Sequence, residues 1–199
     1  MEKRSINFEL RAKPESRTIF GTATVFNSSY DMGWYDEEMS PESLNEADMK
    51  DVVALFNHDM NMVLARTSSG TLKLNVTGNA MEYEFEAPNT TLGNDLLEMV
   101  KRGDVYQSSF AFTVEAEDWQ ERQGMKPKRV IRSIKKVYDV SPVTYPANPD
   151  TMVAKRSYDA TKQIDEDLQK VIEISVKSEI NIQNELRRNA LHLLNLKTK

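Results

Sequence analysis

Two side chains in this 199-residue chain stand out for chemistry: a histidine at an expected loop junction and a serine inside an expected strand. Histidine is scarce, with only His58 and His192 present, and imidazole is the side chain best suited to moving protons near neutral pH. His58 follows the apolar run Val52-Val53-Ala54-Leu55-Phe56 and sits in Asn57-His58-Asp59, where a loop can hold an imidazole at the edge of a cleft. His192 lies between Leu191 and Leu193 near the C-terminus and is assigned no chemistry. In the segment 106–114, strand alternation puts Tyr106, Ser108, Phe110, Phe112 and Val114 on one face and Gln107, Ser109, Ala111 and Thr113 on the other. The large, apolar face belongs in the core. Ser108 is therefore expected to point inward, and Ser109 to lie on the outer, small-residue face with room for its hydroxyl to meet a partner. Asp139, in Val137-Tyr138-Asp139-Val140-Ser141, stands in a largely apolar strand, where a buried acid needs partners. Taken singly, each has an ordinary reading as well: a solvent-facing strand serine, a hydrogen-bonded surface histidine, an outward-facing strand acid.

Composition narrows the alternatives. Cysteine is absent, which excludes thiol nucleophiles, thiolate metal sites and disulfides. Two histidines do not make a histidine-rich metal centre, and no Gly-rich phosphate loop or nucleotide fingerprint is present, so no cofactor and no metal are expected. The net charge of -5 gives no bulk electrostatic reason to expect specific nucleic-acid binding. No segment reaches the roughly 18 consecutive apolar residues of a membrane span, and the first residues lack the apolar run of a signal peptide; a soluble, intracellular protein is expected.

The elements that would position these residues can be read in outline. Ile6–Leu10 and Thr18–Phe26, either side of Lys13-Pro14-Glu15-Ser16, predict a β-hairpin. Ser40 followed by Pro41 predicts a short helix to about Lys50. Val52–Phe56, Met62–Ala65, Thr71–Val76 and Met81–Ala87 read as successive strands, and Asn94–Lys101 as a second short helix stopped by Gly103. Tyr106–Val114, Arg129–Ile134 and Lys136–Val143 return to strand character, with the charged stretch Glu115–Lys128 as an exposed connection and Pro142 and Pro146 closing the β region. The fold class expected is α+β: a small antiparallel β-barrel with peripheral helices, since closure removes unpaired edges. Beyond residue 155 glycine and proline vanish, and Ile164, Leu168, Ile172, Val176 and Ile180 recur every four residues, predicting an amphipathic helix. A second stripe through Leu186, Leu191 and Leu194 continues it or forms a partner helix. The expected division is a barrel domain, 1–155, and a helical tail, 156–199.

Six segments in fixed order go further than any single residue. They are Gly21–Phe26; Leu55–Asp59; Leu64–Thr67 with Gly70–Leu74; Val100–Asp104; Ser108–Phe112; and Val137–Asn148. Their succession, over about residues 5–155, resembles the prohead maturation protease family of tailed bacteriophages, which is similar in fold to the herpesvirus assemblins. The resemblance implies a serine endopeptidase in which the serine before Phe-x-Phe, here Ser109, is the nucleophile and the histidine of His-Asp, here His58, is its base. The acid before Val-Ser, here Asp139, is the implied third member, where the assemblins use a second histidine. Family members often have glycine where this chain has Ala111 and Ala65, small residues that keep space near the backbone.

By the same resemblance, the substrates are the scaffold segment of the major capsid protein precursor and the protease itself, cut inside the assembling prohead in the host cytoplasm. The amphipathic tail then either delivers the enzyme to the shell and mediates self-association or packs on its own barrel. Arg66 is expected in a surface ion pair. The competing expectations are a non-enzymatic scaffolding or assembly protein that keeps the fold, and a cytosolic peptidase with no capsid role.

Overall fold

One long antiparallel ladder organises the molecule. Strands β10 (Gln107–Gln120) and β11 (Lys128–Val143) pair from Gln107 opposite Val143 to Gln120 opposite Lys128. The structure is a computed structural model describing residues 1–6, 10–13, 15–145 and 151–197. It is mixed α+β, mostly strands with two helices among the described residues.

β10 and β11 belong to a sheet ordered β1-β10-β11-β5-β4, where β1 is Glu2–Ile6, β4 Ser29–Asp31 and β5 Asp36–Met39. The short strands β6 (Val53–Leu55) and β7 (Val63–Arg66) attach to the same sheet, β6 running parallel to β11. A second sheet has the order β2-β3-β9-β8, with β2 Leu10–Ala12, β3 Thr18–Val25, β8 Leu72–Val76 and β9 Ala80–Glu86. Inward residues of both sheets, among them Ile19, Met81 and Phe85 from one and Phe110, Phe112, Ile134 and Val137 from the other, form one core. The helix α1 (Thr91–Arg102) adds Leu96, Leu97 and Val100, whose burial stabilises the fold by about 2 kcal/mol per side chain. Thr90 caps it by accepting from the Gly93 amide at 3.2 Å. Position 93 must be glycine, because a Cβ there would lie 2.1 Å from the Pro88 carbonyl oxygen.

Among the described residues the ladders form two sheets, and a closed barrel is not found. Other expectations are corrected. The helix expected over 41–50 is a single 3-10 turn, Pro41–Leu44. Tertiary pairing overrides its propensity: the Asp48 amide donates to the Lys135 carbonyl at 3.0 Å, and the chain forms a bridge between Asp48 and Lys136. The stretch 115–128 is not all connection, since β10 extends to Gln120. Its charged residues meet opposite charges across the ladder, Glu117 with Arg129 and Asp118 with Arg132. The two strands expected between 129 and 143 are one continuous β11 that includes Pro142. The first hairpin forms from Leu10–Ala12 and Thr18–Val25, whereas Glu2–Ile6 pairs with β10. Pro14 and Pro146 lie outside the described residues.

The chain divides into two compact units, Met1–Thr151 and Met152–Lys199. The second is built on one continuous helix, α2 (Thr151–Lys197), on which Ile164, Leu168, Ile172 and Val176 are exposed. No helix is long and apolar enough to cross a membrane among the described residues. The side chains of Ile180, Leu186, Leu191, Leu194 and His192 are outside the described set.

Candidate active site

β11 is the hub of the site because it pairs on one side with β10 and on the other with β6. Ser109 lies opposite Ser141, and Ala111 opposite Asp139, while Asp139 also faces Val53 of β6. The next pair is Phe112 with Val137, which leaves Tyr138 as an extra residue in β11. This bulge shifts the phase of side-chain alternation by one. Val137 is thereby buried on the Phe112 face, whereas Asp139 and Ser141 share the face of Ser109. Without the bulge, strict alternation from Val137 would send Asp139 into the apolar core.

The third residue arrives from β6. Immediately after Leu55 and Phe56 the chain turns sharply, with Asn57 and His58 both at positive φ, +55° and +57°. Left-handed backbone is costly for residues other than glycine, though asparagine tolerates it best. The turn is held to β11: the Asn57 amide donates to the Pro142 carbonyl at 3.0 Å, and Asn57 Oδ1 accepts from the Thr144 amide at 2.9 Å and the Thr144 hydroxyl at 3.2 Å. These bonds swing the imidazole across β11 toward β10.

As a result His58 stands between the other two residues. Its Nδ1 lies 2.6 Å from Asp139 Oδ1, and its Nε2 lies 2.7 Å from Ser109 Oγ. The His58 and Asp139 side chains are 5% and 8% exposed, so their pairing is shielded from water. Ser141 Oγ donates to Asp139 Oδ1 at 2.7 Å and stands 3.3 Å from His58 Nδ1, completing the ring of contacts around the carboxylate. A carboxylate on Nδ1 fixes the tautomer in which Nδ1 carries hydrogen, leaving Nε2 free to accept the Ser109 proton. That is the arrangement required for a hydroxyl nucleophile, a base and an orienting acid.

The structure thus brings together Ser109, His58 and Asp139 and leaves His192 outside the described side chains. The expectation that Ser109 lies on an outward face is corrected: Ser109, Ala111 and Ser108 are all fully buried, because both faces of this half of β10 are covered. Two surface hollows on the molecule, lined by residues such as Lys13, Phe20 and Lys73 or Arg17, Thr71 and Glu86, include none of the three site residues. Ser108 points inward as expected, bonded at 2.8 Å to the Tyr83 hydroxyl. Burial pushes the Tyr83 phenol well above its ordinary value, the Ser108 bond opposing and the Asp139 charge adding to the rise, so it stays protonated. Gly21 makes room for that ring, since a Cβ there would come within 2.7 Å of it. Arg66 pairs with Asp51 through two contacts of 2.6 and 2.7 Å on the surface.

Sequence reasoning missed two residues. Ser141 was part of a quoted segment, but only the register, with Ser141 opposite Ser109, reveals its place beside the acid. Arg4 had no signal at all. Its carbonyl oxygen accepts from Ser109 Oγ at 2.9 Å. The hydroxyl has one proton, so either His58 or this carbonyl receives it at a given moment.

Among the described residues no group of three or more histidine, cysteine, aspartate or glutamate side chains is arranged to hold a metal. The family model described as Caudovirus prohead serine protease matches residues 6–164. Neither a curated protein nor a solved structure matches the chain.

Proposed function

Since the chain belongs to the caudovirus prohead serine protease family, we propose that it is a serine endopeptidase in which Ser109 is the nucleophile, His58 the general base and Asp139 the residue that orients it. The observation that carries this reading is the imidazole with one ring nitrogen on Asp139 and the other on Ser109.

Ser109 Oγ attacks the carbonyl carbon of the scissile peptide while its proton passes to His58 Nε2. Asp139 stabilises the imidazolium that forms, and Ser141 holds the carboxylate in place. The tetrahedral intermediate collapses with cleavage of the C–N bond, and His58 returns the proton to the leaving amine. The acyl group remains as an ester on Ser109. Water then attacks the ester, giving its proton to His58, and Ser109 leaves with that proton. A backbone donor for the oxyanion contributes about 3–4 kcal/mol in such reactions.

The substrates in this reading are the scaffold segment of the major capsid protein precursor and the protease itself, within the assembling prohead. The test is co-expression of the wild type or Ser109→Ala with the major capsid protein, reading precursor length by intact mass. Shortening by the wild type alone is expected. Equal processing by both removes Ser109 from the mechanism, and none by either favours a scaffolding role.

A further inference from the structure

We propose that the edge of β10 now held by β1 is the substrate's berth, and that it takes an extended peptide with arginine, or less well lysine, immediately before the bond to be cut. The inference rests on the peptidase reading above and deepens it.

β1 lies antiparallel to β10 with Arg4 opposite Phe110 and Ser5 opposite Ser109. It is the terminal strand of its sheet. Through the bond from Ser109 Oγ to the Arg4 carbonyl, an extended main chain presents a carbonyl directly to the nucleophile. Ser109 is fully buried, so an incoming peptide reaches it only by taking the place of a covering segment. An edge strand is the segment most readily exchanged, because a peptide of the same polarity restores its ladder bonds.

The residue that bears this carbonyl projects its side chain to the opposite face. The Arg4 guanidinium carbon lies 5.6 Å from the centre of the Phe112 ring. Glu37 receives it in two-point fashion, Nη2 donating to Oε2 at 2.8 Å and Nε donating to Oε1. Arg129 donates to Glu37 at 2.9 Å and to Glu117 at 2.8 Å. With β1 withdrawn, Glu37 is left sharing Arg129, which also bonds Glu117. Glu37, its side chain only 5% exposed, then loses its two-point partner and keeps one cationic contact, Arg129, which leaves a buried carboxylate under-compensated. A planar, two-point donor restores the balance better than a point charge, which ranks arginine above lysine and both above neutral residues. Glu2, two residues before Arg4, bonds Arg129 at 2.7 and 2.9 Å, so an acid at the corresponding substrate position fits the same constellation.

Extended peptides differing only in the residue before the scissile bond (arginine, lysine, glutamine or methionine) test the proposal on the full-length wild type, Ser109→Ala, Glu37→Gln and Arg4→Ala. Expected are Ser109-dependent cleavage with kcat/KM about 100-fold higher for arginine than glutamine, faster cutting by Arg4→Ala, whose β1 is less firmly held, and collapse of the arginine preference in Glu37→Gln. Hydrogen exchange on Ser109→Ala supplies a readout that does not depend on turnover or on the pocket variants folding: the arginine peptide should raise exchange across residues 2–6, and the glutamine peptide should not. Ser109-dependent cleavage indifferent to the residue, or peptide binding that leaves β1 protected, overturns this inference alone. No cleavage of any peptide by either wild type or Arg4→Ala overturns the peptidase reading, and this inference with it.

Discussion

In the proposed mechanism His58 serves Ser109 only while Asp139 holds its other nitrogen, so the three side chains should fail as a unit rather than additively. Ser109→Ala and His58→Ala are expected to lower kcat on the capsid precursor by about 10⁴-fold or more, and Asp139→Asn by about 10⁴-fold, with native circular dichroism retained at the assay temperature. Ser141→Ala removes one donor from the Asp139 carboxylate. It should cost about tenfold in kcat with KM unchanged, a split that general loss of packing would not produce. Alternation made legible that Ser108 and Ser109 take different faces, and the rarity of histidine drew notice to His58, while the roles given to them rest on the resemblance to the family. The environment of Ser109 was not legible: alternation says which face a residue occupies, and a loop 51 residues away decides whether that face meets water.

At the scale of elements, the site depends on two local departures from regular structure, the left-handed pair Asn57-His58 and the bulge at Tyr138. Asn57→Ala loses the two Thr144 bonds and places a less tolerant residue at positive φ, so it should destabilise by about 2–3 kcal/mol in urea titrations. Asn57→Gly loses only the bonds and should cost about 1–2 kcal/mol. A second prediction concerns β1. Burial raises the Glu2 carboxyl, but the Arg129 hydrogen bond and the nearby guanidinium charges outweigh it and leave the group below its ordinary value of 4.5. A depressed folded value means that the stabilisation is present above pH 4.5 and is lost as pH falls through the lower folded value. Protection of the amides of residues 2–6, corrected for the intrinsic slowing of exchange in acid, should therefore fall as pH is lowered in the wild type, and a Glu2→Gln variant should show less of that pH dependence. Three strands of the second sheet, β3, β8 and β9, were legible from their sequence runs, whereas β2 and the merging of two expected strands into β11 were not. Lys135 and Lys136 look like a break, yet Lys136 is tied to Asp48 across a bridge that no local window contains.

At the scale of the whole molecule, the family match over residues 6–164 ends early in α2. We propose that the remainder of the helix, with its exposed Leu168, Ile172 and Val176, delivers the enzyme to the assembling shell or joins copies of it. Removal of residues 157–199 should then abolish incorporation into proheads while sparing peptide cleavage, as measured by immunoblot of purified particles; unchanged incorporation would end the targeting idea. The claim on which the rest depends is that His58 activates Ser109, and the most direct measurement is covalent labelling of the purified full-length protein with diisopropyl fluorophosphate, located by tandem mass spectrometry. A single adduct on Ser109, formed in step with loss of peptidase activity and slowed about 10³-fold or more in His58→Ala, is the predicted result. An adduct on another residue, or a labelling rate at Ser109 that is indifferent to His58, would contradict the account.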